Sequence, residues 1–108
     1  MGRPIVWIAV TVALAGFGLL AGCCREHRIQ VDGAHRSFRL HVPEGLPASA
    51  PVPLLLALHQ FSDTPRGMER MTRFNELADE ERFVVAYPRG KMRSWDTESD
   101  RDVDFLLA

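Results

Sequence analysis

Two short, continuous apolar runs, Leu54-Leu55-Leu56-Ala57-Leu58 and Phe83-Val84-Val85-Ala86-Tyr87, constrain this chain more than any other feature. Neither alternates polar with apolar residues, so each predicts a strand covered on both faces, as in a parallel sheet. Parallel neighbours need a crossover, and the residues between the runs supply one. Thr64-Pro65 reads as a helix N-cap followed by a proline at the first helical position, where its missing N–H costs nothing. Met68, Met71, Phe74, Leu77 and Ala78 follow at helical spacing, and Glu69 and Arg73 stand four apart in the favourable order for an ion pair. The expectation is one helix of about four turns, its methionine–aromatic stripe packed into the core. Strand, helix, strand is a βαβ unit.

The flanks extend that unit. His27-Arg28-Ile29-Gln30-Val31 and Arg36-Ser37-Phe38-Arg39-Leu40-His41-Val42 alternate as half-buried strands do, and Asp32-Gly33 between them tolerates the positive φ of a tight hairpin turn. Residues 43–53 hold four of the seven prolines and read as a surface loop. Asp102-Val103-Asp104-Phe105-Leu106-Leu107 opens a further helix, with acids near its start where the helix dipole favours them.

The N-terminus reads as an address. Met1-Gly2-Arg3 is a short positive head, no charge occurs from Pro4 to Cys24, and the apolar run ends in Leu20-Ala21-Gly22-Cys23. A basic start, an apolar run and small residues at its end describe a secretory signal peptide. Its last four residues are similar to the lipobox of bacterial lipoproteins, in which the cysteine sulfur carries the lipid. The expectation is a signal peptide over residues 1–22, lipidation of Cys23, and an exported, membrane-anchored domain over 23–108. A single transmembrane helix is the alternative, since about 18 apolar residues already span a bilayer. Cys24 reads as a bystander thiol.

Charge excludes one class of partner. Thirteen basic residues against fourteen acidic ones give a net charge of −1 and no footprint for nucleic acid. Two adjacent cysteines can neither staple a small core nor form a four-ligand zinc site. Asp96, Glu98, Asp100, Asp102 and Asp104 alternate, but a calcium loop counted from Asp96 would put Arg101 where it needs glycine and Leu107 where it needs glutamate. They read as a solvated acidic loop leading into a helix. His27, His35 and His41 do not converge on a metal by spacing and read as surface residues. No cofactor and no metal is called for.

Five stretches in order carry a resemblance: residues 36–43 (Arg-Ser-Phe-Arg-Leu-His-Val-Pro), 54–59 (Leu-Leu-Leu-Ala-Leu-His), 72–79 (Thr-Arg-Phe-Asn-Glu-Leu-Ala-Asp), 83–88 (Phe-Val-Val-Ala-Tyr-Pro) and 93–95 (Arg-Ser-Trp). Together they resemble the polyhydroxybutyrate depolymerase and feruloyl-esterase-like branch of the α/β-hydrolases, over roughly residues 36 to 107. The resemblance implies the N-terminal half of an α/β-hydrolase sheet, a β-hairpin followed by a βαβ unit. It implies that the 54–58 strand is flanked by the 83–87 strand on one side and by the nucleophile strand on the other. It also implies a serine ester hydrolase with an acid and a histidine base. The Gly-x-Ser-x-Gly elbow of that machinery is missing: Ser37, Ser49, Ser62, Ser94 and Ser99 have no such flanks. The expectation is a chain cut before the elbow, inactive alone, that meets an ester substrate only when a C-terminal half completes it.

One functional element remains, because the loop after the third strand of such hydrolases gives a backbone N–H to the oxyanion hole. Here that loop is His59-Gln60-Phe61-Ser62-Asp63. The expected donor is the Phe61 N–H, with that of Gln60 second; His59 shapes the turn, and Asp63 is no catalytic acid. Trp95 either covers the core or lines a substrate cleft. Two other functions stay open: a non-enzymatic envelope lipoprotein serving as a binding or structural module, and an esterase using an unrecognised serine.

Overall fold

A computed structural model describes residues 24–47 and 49–108. The signal peptide expected over residues 1–22 and the lipidation expected at Cys23 lie outside the described residues. The hairpin forms as the alternation requires. Strand β1 (Arg25–Val31) pairs antiparallel with β2 (Ala34–His41), and Asp32 and Gly33 turn between them at φ 49° and 77°. Positive φ at both central residues is the hairpin turn whose twist matches the strands.

Strand β3 (Leu54–Leu56) pairs parallel with β4 (Val84–Pro88), Leu54 opposite Val84 and Leu56 opposite Ala86. Strand β4 also pairs antiparallel with β2, which gives a mixed four-stranded sheet in the order β1-β2-β4-β3. All five residues of β4 are buried, as a central strand demands. The other apolar run departs from expectation. Only three of its five residues are strand, all three leucines are half-buried, and Leu58 is exposed. The cause is position: β3 has a neighbour on one side only among the described residues.

The crossover is two helices, not one: α1 (Pro65–Thr72) and α2 (Phe74–Glu81), broken at Arg73 with φ 54° and ψ 29°. Thr64 caps α1 as expected, its hydroxyl accepting from the Gly67 N–H at 3.1 Å. The break has a geometric reason. Apolar residues every three positions fall behind the 3.6-residue turn by about 60° per step, so a straight helix would carry Leu77 to the far side from Met68. The left-handed residue resets the direction and seats Phe74 and the wholly buried Ala78 against Val85 and Tyr87. It also dissolves the expected Glu69–Arg73 pair. Glu69 accepts from Arg39 at 2.7 Å and from Asn75 at 2.9 Å, and Arg73 turns to Glu76 at 2.8 Å.

Helix α3 (Arg101–Leu107) forms where the sequence predicts it. Alternation along the strands separates two faces. Arg39, His41, Val85 and Tyr87 meet α1 and α2, whereas Arg36 meets Asp102 and Phe105 of α3. Two surface expectations fail here. Asp102 is buried because it neutralises the equally buried Arg36, and His41 is buried because Asp79 on α2 takes its Nε2 at 2.8 Å. A charge or imidazole leaves water only with such a partner.

Candidate functional site

The expected site residues converge where β3 and β4 end. Beyond β3 the chain carries His59, Gln60, Phe61 and Ser62, and beyond β4 it carries Gly90 and the short 3-10 turn Lys91–Arg93 before Trp95. His59 joins the two loops. Its ring is fully buried; Nε2 accepts the Gly90 N–H at 3.0 Å, which leaves Nδ1 as the donor to the Gln60 carbonyl at 2.9 Å. One tautomer alone satisfies both bonds. With both nitrogens engaged, the imidazole has none left to take a proton from a nucleophile.

Trp95 completes the clasp. Its indole N–H donates to the His59 carbonyl at 2.8 Å, and the two rings lie 4.9 Å apart, tilted by 35°. A third link crosses between the loops, from the Ser62 N–H to the Arg93 carbonyl at 2.7 Å. Sequence reasoning missed Gly90. A Cβ there would collide with the Ser94 carbonyl oxygen and press on the His59 ring. Its signal was a lone glycine soon after a strand, the mark of close backbone approach.

Gln60, Phe61, Ser62 and Asp63 form a tight turn, closed by the Asp63 N–H on the Gln60 carbonyl at 3.1 Å with Ser62 in the left-handed region at φ 66°. The Gln60 carbonyl is thus taken twice, by Asp63 and by His59. Among the described residues, neither the Gln60 nor the Phe61 N–H has an acceptor, and the Phe61 side chain is 80% exposed. Asp63 is occupied locally, its Oδ1 accepting the Thr64 N–H at 2.8 Å. Of the acidic run, Asp96 takes the Ser99 hydroxyl and the Glu98 N–H, and the Ser99 bond leads in holding its carboxyl below the usual range.

What the arrangement supplies is a turn braced by His59, with two backbone N–H groups that have no acceptor among the described residues. Among the described residues no serine hydroxyl bonds a histidine ring nitrogen, and no cluster of three metal-ligating side chains occurs. Likewise, no described helix is long and apolar enough to cross a membrane.

No protein-family model matches the chain. It is 37% identical over 77 residues to the bifunctional acetylxylan esterase/xylanase XynS20E of Neocallimastix patriciarum, a match covering 69% of this chain and 11% of that protein. It is 33% identical over 90 residues to NocK of Nocardia uniformis subsp. tsuyamanensis, provisionally named an esterase, covering 74% of this chain and 26% of that one. The chain therefore spans about a tenth and about a quarter of the lengths of these two relatives.

Proposed function

We propose that residues 36–107 form the oxyanion-loop portion of a serine carboxylic-ester hydrolase, with the Phe61 N–H as donor and the Gln60 N–H second. The observation that carries this reading is the turn itself: two N–H groups without acceptors, held from behind by His59. An oxyanion donor has to be fixed in place and unengaged before the negative charge develops, so that no reorganisation is needed during the reaction. Similarity to two proteins named as esterases supports ester chemistry. The pairing of β3 with β4, with its other edge open among the described residues, fits the place the hydrolase resemblance gives that strand.

The substrate class we infer is an ester on a polymer, a polyhydroxyalkanoate or an acylated plant polysaccharide, as in the branch the motifs resemble. Trp95 is bonded to the His59 carbonyl and packs against the His59 ring, and its part in this reading is to brace the loop. In this reading residues 36–107 supply the oxyanion donors, and the nucleophile, acid and base belong to the other half of the hydrolase. We also propose, from the charge-free run that ends in Leu20-Ala21-Gly22-Cys23, that the chain is exported and anchored to the cell envelope through a lipid on Cys23.

The test joins the full chain to the stretch of NocK that follows the matched region and follows p-nitrophenyl acetate hydrolysis. Phe61 is the second residue of its turn, where proline fits, so Phe61→Pro removes the N–H and leaves the turn. Loss of one such donor costs roughly 10²–10³ in rate, and Phe61→Ala, which keeps the N–H, retains activity. Equal rates in the two variants refute the assignment. For the anchor, palmitate labelling is lost in Cys23→Ala and kept in Cys24→Ala.

A further inference from the structure

A polar cleft lies on the α1–α2 face, away from His59. It encloses about 430 Å³ and is lined by Arg39, Arg66, Arg70 and Arg73 with the acids Glu69 and Glu76. Both acids are engaged, Glu69 by Arg39 at 2.7 Å and Glu76 by Arg73 at 2.8 Å. Burial works most strongly against the Glu69 carboxylate, but its contacts with Arg39, Cys24 and Asn75 together outweigh it and hold the carboxyl below the usual range, so it stays an anion beside its arginine. Arg66 and Arg70 have no ion pair among the described residues. They stand four apart on α1, both exposed, a spacing at which like charges repel. Two uncompensated guanidinium groups at the mouth of a cleft already lined by two more are an arrangement that an anion would relieve.

The described chain enters the fold at this cleft. The guanidinium of Arg39 donates from Nη2 to the Cys24 carbonyl at 3.3 Å, and Cys24 packs against the core beside Tyr87. Immediately before it lies the charge-free stretch that begins at Pro4. Cys24, which directly follows the stretch read as membrane-held, is thus bonded to the cleft wall through Arg39.

We propose that the arginine cleft docks the domain onto an anionic phospholipid surface, its guanidinium groups taking the lipid phosphate oxygens. This rests on the reading that the segment before Cys24 is held in a membrane. The arginine fork matches phosphate bidentately, and basic residues held next to an anchor gain from the negative potential of the bilayer surface. An acyl anchor combined with a basic patch holds a protein to a membrane more firmly than either alone. Charge and position thus point to the same occupant, and the net charge of −1 does not show that four of the thirteen basic residues line this one cleft.

The experiment mixes the full chain with phosphatidylcholine vesicles, with or without phosphatidylglycerol. It reads flotation, together with residue-resolved modification of arginines by phenylglyoxal. With anionic lipid at low salt, modification of Arg66 and Arg70 slows roughly fivefold or more and recovers at high salt, the factor expected per basic residue at such a surface. Arg101, exposed on α3, keeps its rate as the internal reference. In the double variant Arg66→Gln, Arg70→Gln the protection of Arg73 also disappears. Flotation on both vesicle types with unchanged Arg66 and Arg70 overturns the docking and leaves the anchor standing. Flotation on anionic vesicles alone supports the docking and removes the anchor, and flotation on neither overturns both. Millimolar glycerol phosphate protecting these arginines as well as vesicles do would show a site for free phosphate esters and overturn the membrane assignment.

Discussion

Arg36 on β2 and Asp102 on α3 meet at 2.7 Å across 66 residues of chain, with 4% and 9% of their side-chain surfaces exposed. The Phe105 ring lies 4.0 Å from the guanidinium carbon, and Asp102 Oδ2 also accepts the Asp96 N–H at 2.5 Å. Removing one partner leaves a buried charge alone, a loss of about 3–5 kcal/mol. Asp102→Ala therefore destabilises more than Arg36→Met, since it also strands the Asp96 N–H. The double variant Arg36→Met, Asp102→Ala loses much less than the sum of the two singles. Urea midpoints of the three variants check the cycle, and additive losses would mean that the pair does not act as a unit.

Gly90 is the position where a single methyl group disturbs the candidate site most. Its added Cβ would meet backbone, the Ser94 carbonyl, which cannot move aside as a side chain does. Gly90→Ala accordingly costs about 1–3 kcal/mol, the range for overpacking. The His59–Gly90 bond goes with it. Amide exchange at Ser62, whose N–H is held by the Arg93 carbonyl, then accelerates relative to β4. A variant with unchanged exchange at Ser62 would separate the two loops.

The contrast between these sites and the sequence explains what could be read in advance. The hairpin, the Thr64 cap and the buried run of β4 were legible because periodicity, turn chemistry and capping act within a few residues. The break at Arg73 was not, because the drift of a three-residue spacing matters only once a sheet lies beneath it. Arg36–Asp102 was hidden by distance: nothing local distinguishes Asp102 from Asp100 or Asp104, and the acidic alternation suggested solvent for all. For the site, the loop from His59 to Asp63 was legible through the resemblance and the two tight loops that carry it. The carbonyl of Arg93 and the glycine at 90 became visible only when the β4 loop folded back onto His59.

Cys24 provides a titration test of the same packing. Burial, then the Glu69 carboxylate, push its thiol from 9.0 up to about 11, against the opposing pull of Arg39. The folded-state value lies above the unfolded one. The stability this thiol contributes is therefore complete below about pH 9 and is lost as the pH rises through about 11. In the full chain carrying Cys23→Ser, iodoacetamide alkylation of Cys24 rises with a midpoint near 11. At pH 8 it runs about a hundredfold slower than for an ordinary cysteine, because the thiolate is the nucleophile. Glu69→Gln lowers the midpoint, and an unmoved midpoint would show that the carboxylate does not reach the thiol.

Strand β3 has two kinds of backbone donor, and proline tells them apart. The Ala57 N–H donates to the Ala86 carbonyl at 2.9 Å and the Val84 N–H to the Pro53 carbonyl at 2.9 Å, so odd-numbered residues here face β4. By alternation the Leu55 N–H points into the ladder, and the N–H groups of Leu54 and Leu56 point to the edge that has no strand beside it among the described residues. An edge of this kind, bearing three leucines, is a template for pairing between chains. Leu55→Pro removes a ladder bond and leaves a buried carbonyl without its donor, a loss of about 1–3 kcal/mol in urea unfolding. Leu56→Pro removes an edge-facing donor, a position where sheets tolerate proline, and its main effect is on association. In detergent that covers the apolar leader, the wild-type chain develops an intermolecular β-sheet infrared band as its concentration rises. Leu56→Pro suppresses that band while keeping the monomer's unfolding transition. The same band in wild type and in Leu56→Pro would place the association elsewhere than on β3.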